Sequence, residues 1–181
     1  MRELTWEMLN LSWDDAGPDG ARSSPQDVAK LIFSKNENDA YLAYFDVEET
    51  LKLDGLVYPS ALPVVKTILA MLPGCGDAAR LKCLELLASI GVSEPAPGTP
   101  DTVDACLCEM KKSIWYFIYG LQFLDIKYID SFVDVLYCVG AKFSDFNSTA
   151  IQYLELSLTR NLRDIDNEMI RNTILDLRKK I

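Results

Sequence analysis

Apolar residues recur at helical spacing from about Asp39 to the C-terminus, and glycine or proline marks nearly every joint between the periodic stretches. Repeats of i, i+3, i+4 and i+7 are the signature of amphipathic helices, and no stretch sustains the alternation of a strand. The spacing predicts a short helix over 4–11 carrying Trp6 and Leu9, then a loop over 12–20 rich in turn formers. Ser24-Pro25-Gln26-Asp27 reads as a helix start: Ser24 caps, Pro25 suits the first position and Asp27 faces the positive helix end. Val28, Leu31 and Ile32 supply its buried stripe.

A helix is expected over 39–54, with Ala40, Tyr44, Val47 and Leu51 on its apolar face and Gly55 as its stop. Asp39, Asp46 and Glu49 share another face of that helix as a carboxylate stripe. Leu56-Val57-Tyr58-Pro59 follows as a short extended link, because the residue before proline avoids the helical region. Helices are then expected over 60–72 and 77–90, separated by Pro73-Gly74. The stretch 92–100 is Pro/Gly-rich and linker-like. Beyond it, one long helix is expected, with Val103, Leu107, Met110, Ile114, Phe117 and Leu121 as its core stripe. Trp115, Tyr116, Ile118 and Tyr119 make that segment apolar nearly all round, as for a central helix packed on several sides. Three more helices complete the chain, over 125–139, from Asn147 or Ser148, and from Asp166 to a basic end at Arg178-Lys179-Lys180 that complements the helix dipole. The product is an all-α chain of eight or nine helices in antiparallel pairs. Pairs of about 40 residues suggest a HEAT-like α-solenoid, with an irregular helical bundle as the alternative. A length of 181 residues fits a single domain, with the 92–100 loop between two helical halves.

Charge narrows the class of partner. The net charge is −9, and residues 1–54 hold twelve acids against five bases, which leaves only −2 for the rest. Nucleic-acid binders carry basic patches and anionic membranes select for them, so neither is expected as a partner. An acidic surface suits a basic protein, where complementary charge speeds encounter. Five cysteines, an odd number and mostly within apolar helical stretches, fit buried free thiols in a reducing cytosol better than a disulfide framework. The N-terminus lacks the apolar core of a signal peptide, and the most apolar stretch, 114–124, is too short to span a bilayer. A cytoplasmic protein is expected.

Catalytic chemistry finds little support. The chain has no histidine, which removes Ser-His-Asp and Cys-His catalysis and most zinc and haem sites. Neither phosphate-binding glycine loop is present. Cys106 and Cys108 lack the spacing of a zinc knuckle. Asp130 and Asp134 form one i, i+4 carboxylate pair, but a metal or acid–base site wants a second pair facing it. No catalytic residue, metal or cofactor is therefore expected, and the solvated-face reading of these acids stands against the site reading. The candidate partner-binding residues are Asp39, Asp46, Glu48, Glu49 and Asp54, with Asp14 and Asp15 from the loop and Tyr58 for contact area. Of the neighbouring aromatics Tyr41, Tyr44, Phe45 and Tyr58, most are expected in the core, and those left at a rim would suit recognition.

Leu51-Lys52-Leu53-Asp54-Gly55-Leu56-Val57-Tyr58-Pro59-Ser60-Ala61-Leu62-Pro63-Val64-Val65 resembles a bacterial family of HEAT-repeat-like proteins. In that family a helix ends in His-Gln-Gly, runs through a short Val-Tyr and enters Pro-x-Ala-x-Pro-x-Val. Gly55, Val57, Tyr58, Pro59, Ala61, Pro63 and Val65 match, whereas Leu53-Asp54 stands where the family has His-Gln. Members are often encoded beside polymorphic or contact-dependent toxins and are treated as candidate immunity proteins. The resemblance thus implies an immunity protein that neutralises a basic toxin domain by occluding its active site. It carries no catalytic residue across, and a generic HEAT-like adaptor is the alternative.

Overall fold

A computed structural model describes residues 11–15 and 17–180. The expected helix over 4–11, with Trp6, lies almost wholly outside the described residues. Among those residues the chain forms nine α-helices and three two-residue strands. The all-α expectation holds. The helices are α1 (Pro25–Ile32), α2 (Glu37–Glu48), α3 (Ala61–Met71), α4 (Asp77–Gly91), α5 (Thr102–Lys112), α6 (Ile114–Phe123), α7 (Ile129–Lys142), α8 (Ser144–Ser157) and α9 (Asp164–Arg178).

The chain divides into two compact units, Met1–Glu109 and Met110–Ile181. The boundary falls inside α5, so the 92–100 loop belongs to the first unit. Within the first unit α1 packs on α2, α3 and α4, and α4 packs on α2 and α3. Within the second, α7 packs on α6, α8 and α9, and α8 packs on α6 and α9. Each unit is therefore two helix pairs laid one on the other, first helix on third and second on fourth. HEAT-like repeats use this local arrangement, and so do small bundles; four helices define no superhelix.

Local chemistry explains most element ends. Ser24 sits in extended conformation and accepts the Asp27 N–H at 3.2 Å, as its sequence position requires. The second helix begins two residues before the expected start, because Asn36 caps it by accepting the Asp39 N–H at 2.9 Å. It also ends six residues early. Leu51 leaves the helix, and β1 (Lys52–Leu53) turns back through Asp54-Gly55 to antiparallel β2 (Leu56–Val57). Both turn residues have positive φ, 51° at Asp54 and 81° at Gly55, the requirement of a tight two-residue hairpin. Gly55 serves that hairpin rather than a helix stop. The loop over 92–100 is tied to it as well. β3 (Glu94–Pro95) pairs parallel with β2, and Ala96 donates its N–H to the Val57 carbonyl at 2.8 Å.

The core of the first unit includes Val28, Leu31, Val47, Leu51, Val64, Ile68, Leu84, Leu87 and Ile90, all fully buried. Burying each such side chain contributes about 1.5–3 kcal/mol. The glycine at 17 is required by packing, since a Cβ there would meet the Thr50 carbonyl oxygen at 2.0 Å.

The single long helix expected from Thr99-Pro100-Asp101 through Leu121 is two helices, the first beginning at Thr102. Ser113 (φ −98°, ψ 13°) leaves helical geometry and donates its N–H to the Met110 carbonyl in a tighter turn, at 3.0 Å. After the break α6 buries Ile114, Phe117, Ile118 and Leu121, and Gly120 lets the Phe132 ring of α7 approach its backbone. The carbonyls of Leu121 and Leu124, left open as α6 ends, accept from the Arg160 guanidinium, the latter at 2.9 Å. Asn147 ties three helices by donating to the Gly140 carbonyl at 3.1 Å and the Leu177 carbonyl at 3.2 Å. The last two helices start earlier than expected, at Ser144 and Asp164. Asp166 is buried in the first turn of α9, accepting the Arg163 backbone N–H at 3.3 Å and its guanidinium at 2.6 Å.

Candidate functional site

The second helix has an unusual division of its apolar residues. Small ones face inward: Ala40, Ala43 and Val47 are buried against α1 and α4. Large ones face out. Tyr41 is 49% exposed, Leu42 56% and Phe45 40%. Tyr41 and Phe45, one helical turn apart, meet edge-on with ring centroids 4.6 Å apart. Phe45 also meets Tyr44 edge-on at 5.3 Å. Of Tyr41, Tyr44, Phe45 and Tyr58, most of which were expected in the core, Tyr41 and Phe45 are exposed and Tyr44 and Tyr58 half-buried. The inner face has room only for small side chains where α2 lies against α1 and α4, so the bulk is turned outward.

Carboxylates border this aromatic patch. Asp39, Leu42, Asp46 and Glu49 follow one another at spacings of three, four and three residues, which lays them in a single row beside Tyr41 and Phe45. All three acids of the row are exposed. Asp39 is partly occupied at the helix start, where the Asn36 amide donates to it at 2.8 Å. Asp46 lies in the field of Lys30. Glu49 follows the last helical residue and makes no ion pair with a described residue. Between Glu37 and Glu49 the chain holds five acids and no base.

The other sequence candidates fall into three groups. Glu48 is turned away from the row, to the side where α2 meets α4. It accepts the Tyr44 hydroxyl at 2.9 Å and stands 4.0 Å from the Lys52 ammonium, which in turn hydrogen-bonds the Ser89 hydroxyl. Burial, reinforced by the bond to Glu48, pushes the Tyr44 phenol well above its ordinary range, so Tyr44 is a fixed donor within this cluster. Asp54 is exposed but belongs to the hairpin turn, and Tyr58 is half-buried, its N–H donated to the Leu51 carbonyl at 2.9 Å. Asp14 and Asp15 are exposed on the loop before Gly17. Because Gly17 packs directly on the Thr50 carbonyl, that loop is brought to the end of α2 that carries Glu49. The structure thus gathers Asp39, Asp46 and Glu49, leads Asp14 and Asp15 toward one end of them, and leaves Glu48, Asp54 and Tyr58 to structural work.

Sequence reasoning missed Lys82. Its ammonium stands 5.7 Å from the Tyr41 ring centroid and 5.6 Å from that of Tyr44, held by Glu85 at 2.6 Å. The cation fixes the edge of the aromatic patch through the ring faces. A signal for it exists only in three dimensions, because Lys82 comes from α4.

The second unit carries another exposed aromatic face. Trp115 is 65% exposed, Tyr119 54% and Phe123 72%, at spacings of four on α6. Tyr119 and Phe123 lie tilted by 37° with ring centroids 5.2 Å apart, and Trp115 meets Tyr153 of α8 edge-on at 6.2 Å. These residues were expected within a central helix. The break at Ser113 and the packing of Gly120 on α7 turn them outward instead. From Ile114 to Leu124 the chain has no charged residue, so α6 itself supplies no carboxylate row beside this face.

Neither face assembles a catalytic constellation. Among the described residues no group of three or more His, Cys, Asp or Glu side chains is placed to hold a metal ion. Asp130 and Asp134 lie one turn apart on α7, and burial followed by the charge of Asp130 raises the Asp134 carboxyl. No helix of the described residues is long and apolar enough to cross a membrane. No protein-family model matches the chain, and no curated protein matches it.

Proposed function

We propose that the chain is a non-enzymatic binding protein of the cytoplasm that uses the outer face of α2 to cover a basic surface on a partner protein. The observation that carries the proposal is the aromatic patch Tyr41, Leu42 and Phe45 beside the exposed row Asp39, Asp46 and Glu49. Protein interfaces concentrate their energy in a few aromatic side chains at a dry centre, and a rim of one charge steers the complementary partner. Large apolar side chains held in water cost free energy unless something covers them. The carboxylate row selects Lys- and Arg-rich surfaces and disfavours nucleic acid.

In its most specific form the partner is a toxin domain whose active site is occluded, which makes the chain an immunity protein. This form rests on the resemblance of residues 51–65 to HEAT-repeat-like immunity proteins. In the fold those residues build the hairpin, the link and the start of α3, immediately after the candidate face. The test is co-expression with the product of the adjacent gene. Rescue of growth together with a complex that survives gel filtration supports this form; a non-toxic product that forms no complex removes it.

A second reading is an adaptor with two docking faces. The observation that favours it is the uncharged aromatic face of α6 in the second unit. An adaptor retains binding of one partner when the other face is altered. An immunity protein that works through α2 has no need of α6.

A further inference from the structure

We propose that the outer face of α6 binds a second copy of this chain, giving a symmetric dimer with two α6 helices antiparallel at its centre. Trp115, Tyr119 and Phe123 follow one another at spacings of four and form a single exposed ridge. Interfaces concentrate their energy in side chains of this kind. Aromatic side chains carry about 150–250 Å² each, so the exposed parts of these three amount to about 400 Å². A patch of that size marks an interaction site more often than a bare surface.

Charge decides the occupant. Residues 1–109, the first unit, hold eighteen acids against eight bases, whereas residues 110–181, the second, hold nine acids against ten bases. Two copies that met through the first unit would bring strong like charge together. Two copies that meet through α6 bring together helices without a charge. A strongly acidic or basic partner finds nothing on this ridge to pair with, but an identical ridge matches it in kind. The two ends of α6 also differ in sign. Exposed Lys112 stands just before the helix and exposed Asp125 just after it. Asp125 is held in place: its carboxylate accepts the Lys127 N–H at 3.1 Å. A twofold axis beside Tyr119 then sets Tyr119 against its own copy and Trp115 of each chain against Phe123 of the other. It also brings Lys112 of each chain to the Asp125 end of the other. The parallel arrangement would set lysine on lysine and aspartate on aspartate. The face is thus self-complementary in shape class and in charge, as a twofold interface requires.

The ridge is also held rigid. Lys111, at the start, pairs with Asp145 of α8 at 2.6 Å. Gln122 donates to the Tyr153 carbonyl at 3.0 Å, and Arg160 donates to the Leu124 carbonyl at 2.9 Å. Little remains to be ordered on association, which keeps its entropic cost low. A pair of ridges hides about 800 Å² of ring surface, short of the ~1,200 Å² where stable interfaces begin. The dimer is therefore reversible and forms as concentration rises.

The test is sedimentation velocity of the full chain from micromolar to millimolar concentration. The mass should climb from the 20.3 kDa of the monomer toward twice that value. Trp115→Ala with Phe123→Ala should stay monomeric throughout, with circular dichroism checking the fold. Tyr119→Glu, which sets two carboxylates at the axis, should do the same. Tyr41→Ala with Phe45→Ala should dimerise like the unaltered chain. Lys112→Glu and Asp125→Lys should each weaken the dimer about tenfold, and the two together should restore it, because the swapped ends attract again. A monomer at every concentration would overturn the proposal. So would a dimer that persists in the folded α6 variants, or one that the α2 variant abolishes. Failure of the combined charge swap to restore what the single changes lose would overturn the antiparallel arrangement.

Discussion

The outer faces of α2 and α6 each hold three large apolar side chains in water, yet they differ in everything around them. On α2 the patch has a carboxylate row along one side and a lysine from α4 pinned at its edge by Glu85. On α6 the patch runs through eleven residues without a charge. Apolar exposure alone therefore does not set what a face can bind. A bordered patch selects its partner by charge, repelling acidic surfaces and drawing in basic ones. An unbordered patch offers area without discrimination. Their construction differs too. The second helix turns its bulk outward because its inner face is built from alanine and valine, whereas α6 keeps bulky residues on both sides.

The largest expected effect separates the faces directly. Tyr41→Ala combined with Phe45→Ala should weaken binding of a basic partner at least 100-fold, since interface aromatics are worth about 2 kcal/mol or more each. Stability should change little, because both rings already face water. Trp115→Ala with Phe123→Ala should leave that affinity unaltered. Titration calorimetry of the two double variants makes the comparison.

Next in size is a steric test confined to the second unit. In Gly120→Ala the new methyl would meet the Phe132 ring at 2.2 Å. Overpacking of this kind costs about 1–3 kcal/mol. Urea unfolding should report that loss, and partner affinity should not move. Loss of affinity without loss of stability would place α6 in the interface.

Charge reversal probes the border alone. Asp46→Lys with Glu49→Lys should slow association with a basic partner about tenfold at low salt, and the difference should shrink at high salt, where exposed charges are screened. Stopped-flow association at two ionic strengths checks it. A change confined to dissociation would mean that these acids are buried in the complex rather than steering toward it.

The smallest effect concerns the start of α9, which packs on α7 and α8. Arg163 hydrogen-bonds Asp166 and holds its carboxyl below the usual carboxylate range, outweighing burial. A group with a depressed folded pKa stabilises the fold above its unfolded pKa near 4, and that contribution fades as pH falls through the folded value. Asp166→Asn should cost about 1 kcal/mol at neutral pH and flatten the acid limb of the stability curve. Thermal unfolding between pH 3 and 7 measures it, with binding through α2 unaffected at neutral pH.

Much of this was legible in the pattern of the chain. Ser24-Pro25 and the stripe Val28, Leu31 and Ile32 mark α1 because capping and burial there agree. The hairpin was not legible as such, since Asp54-Gly55 closes a helix as readily as it turns a strand, and two-residue strands show no alternation. The break at Ser113 has neither glycine nor proline to announce it. For the site, the acids were legible and the aromatics were misplaced. The spacing of Ala40, Val47 and Leu51 marked the inner side, and all three are buried, but periodicity did not place the large side chains Tyr41, Leu42 and Phe45 on the outer one. Glu48 looked identical to Glu49 in sequence, but the neighbouring Tyr44 hydroxyl and Lys52 draw it into the fold.

The most direct measurement is the affinity of the adjacent gene's product for the two aromatic double variants, one on each face, side by side with the unaltered chain. The account predicts loss on the α2 variant alone. Loss on the α6 variant with full binding by the α2 variant would contradict it.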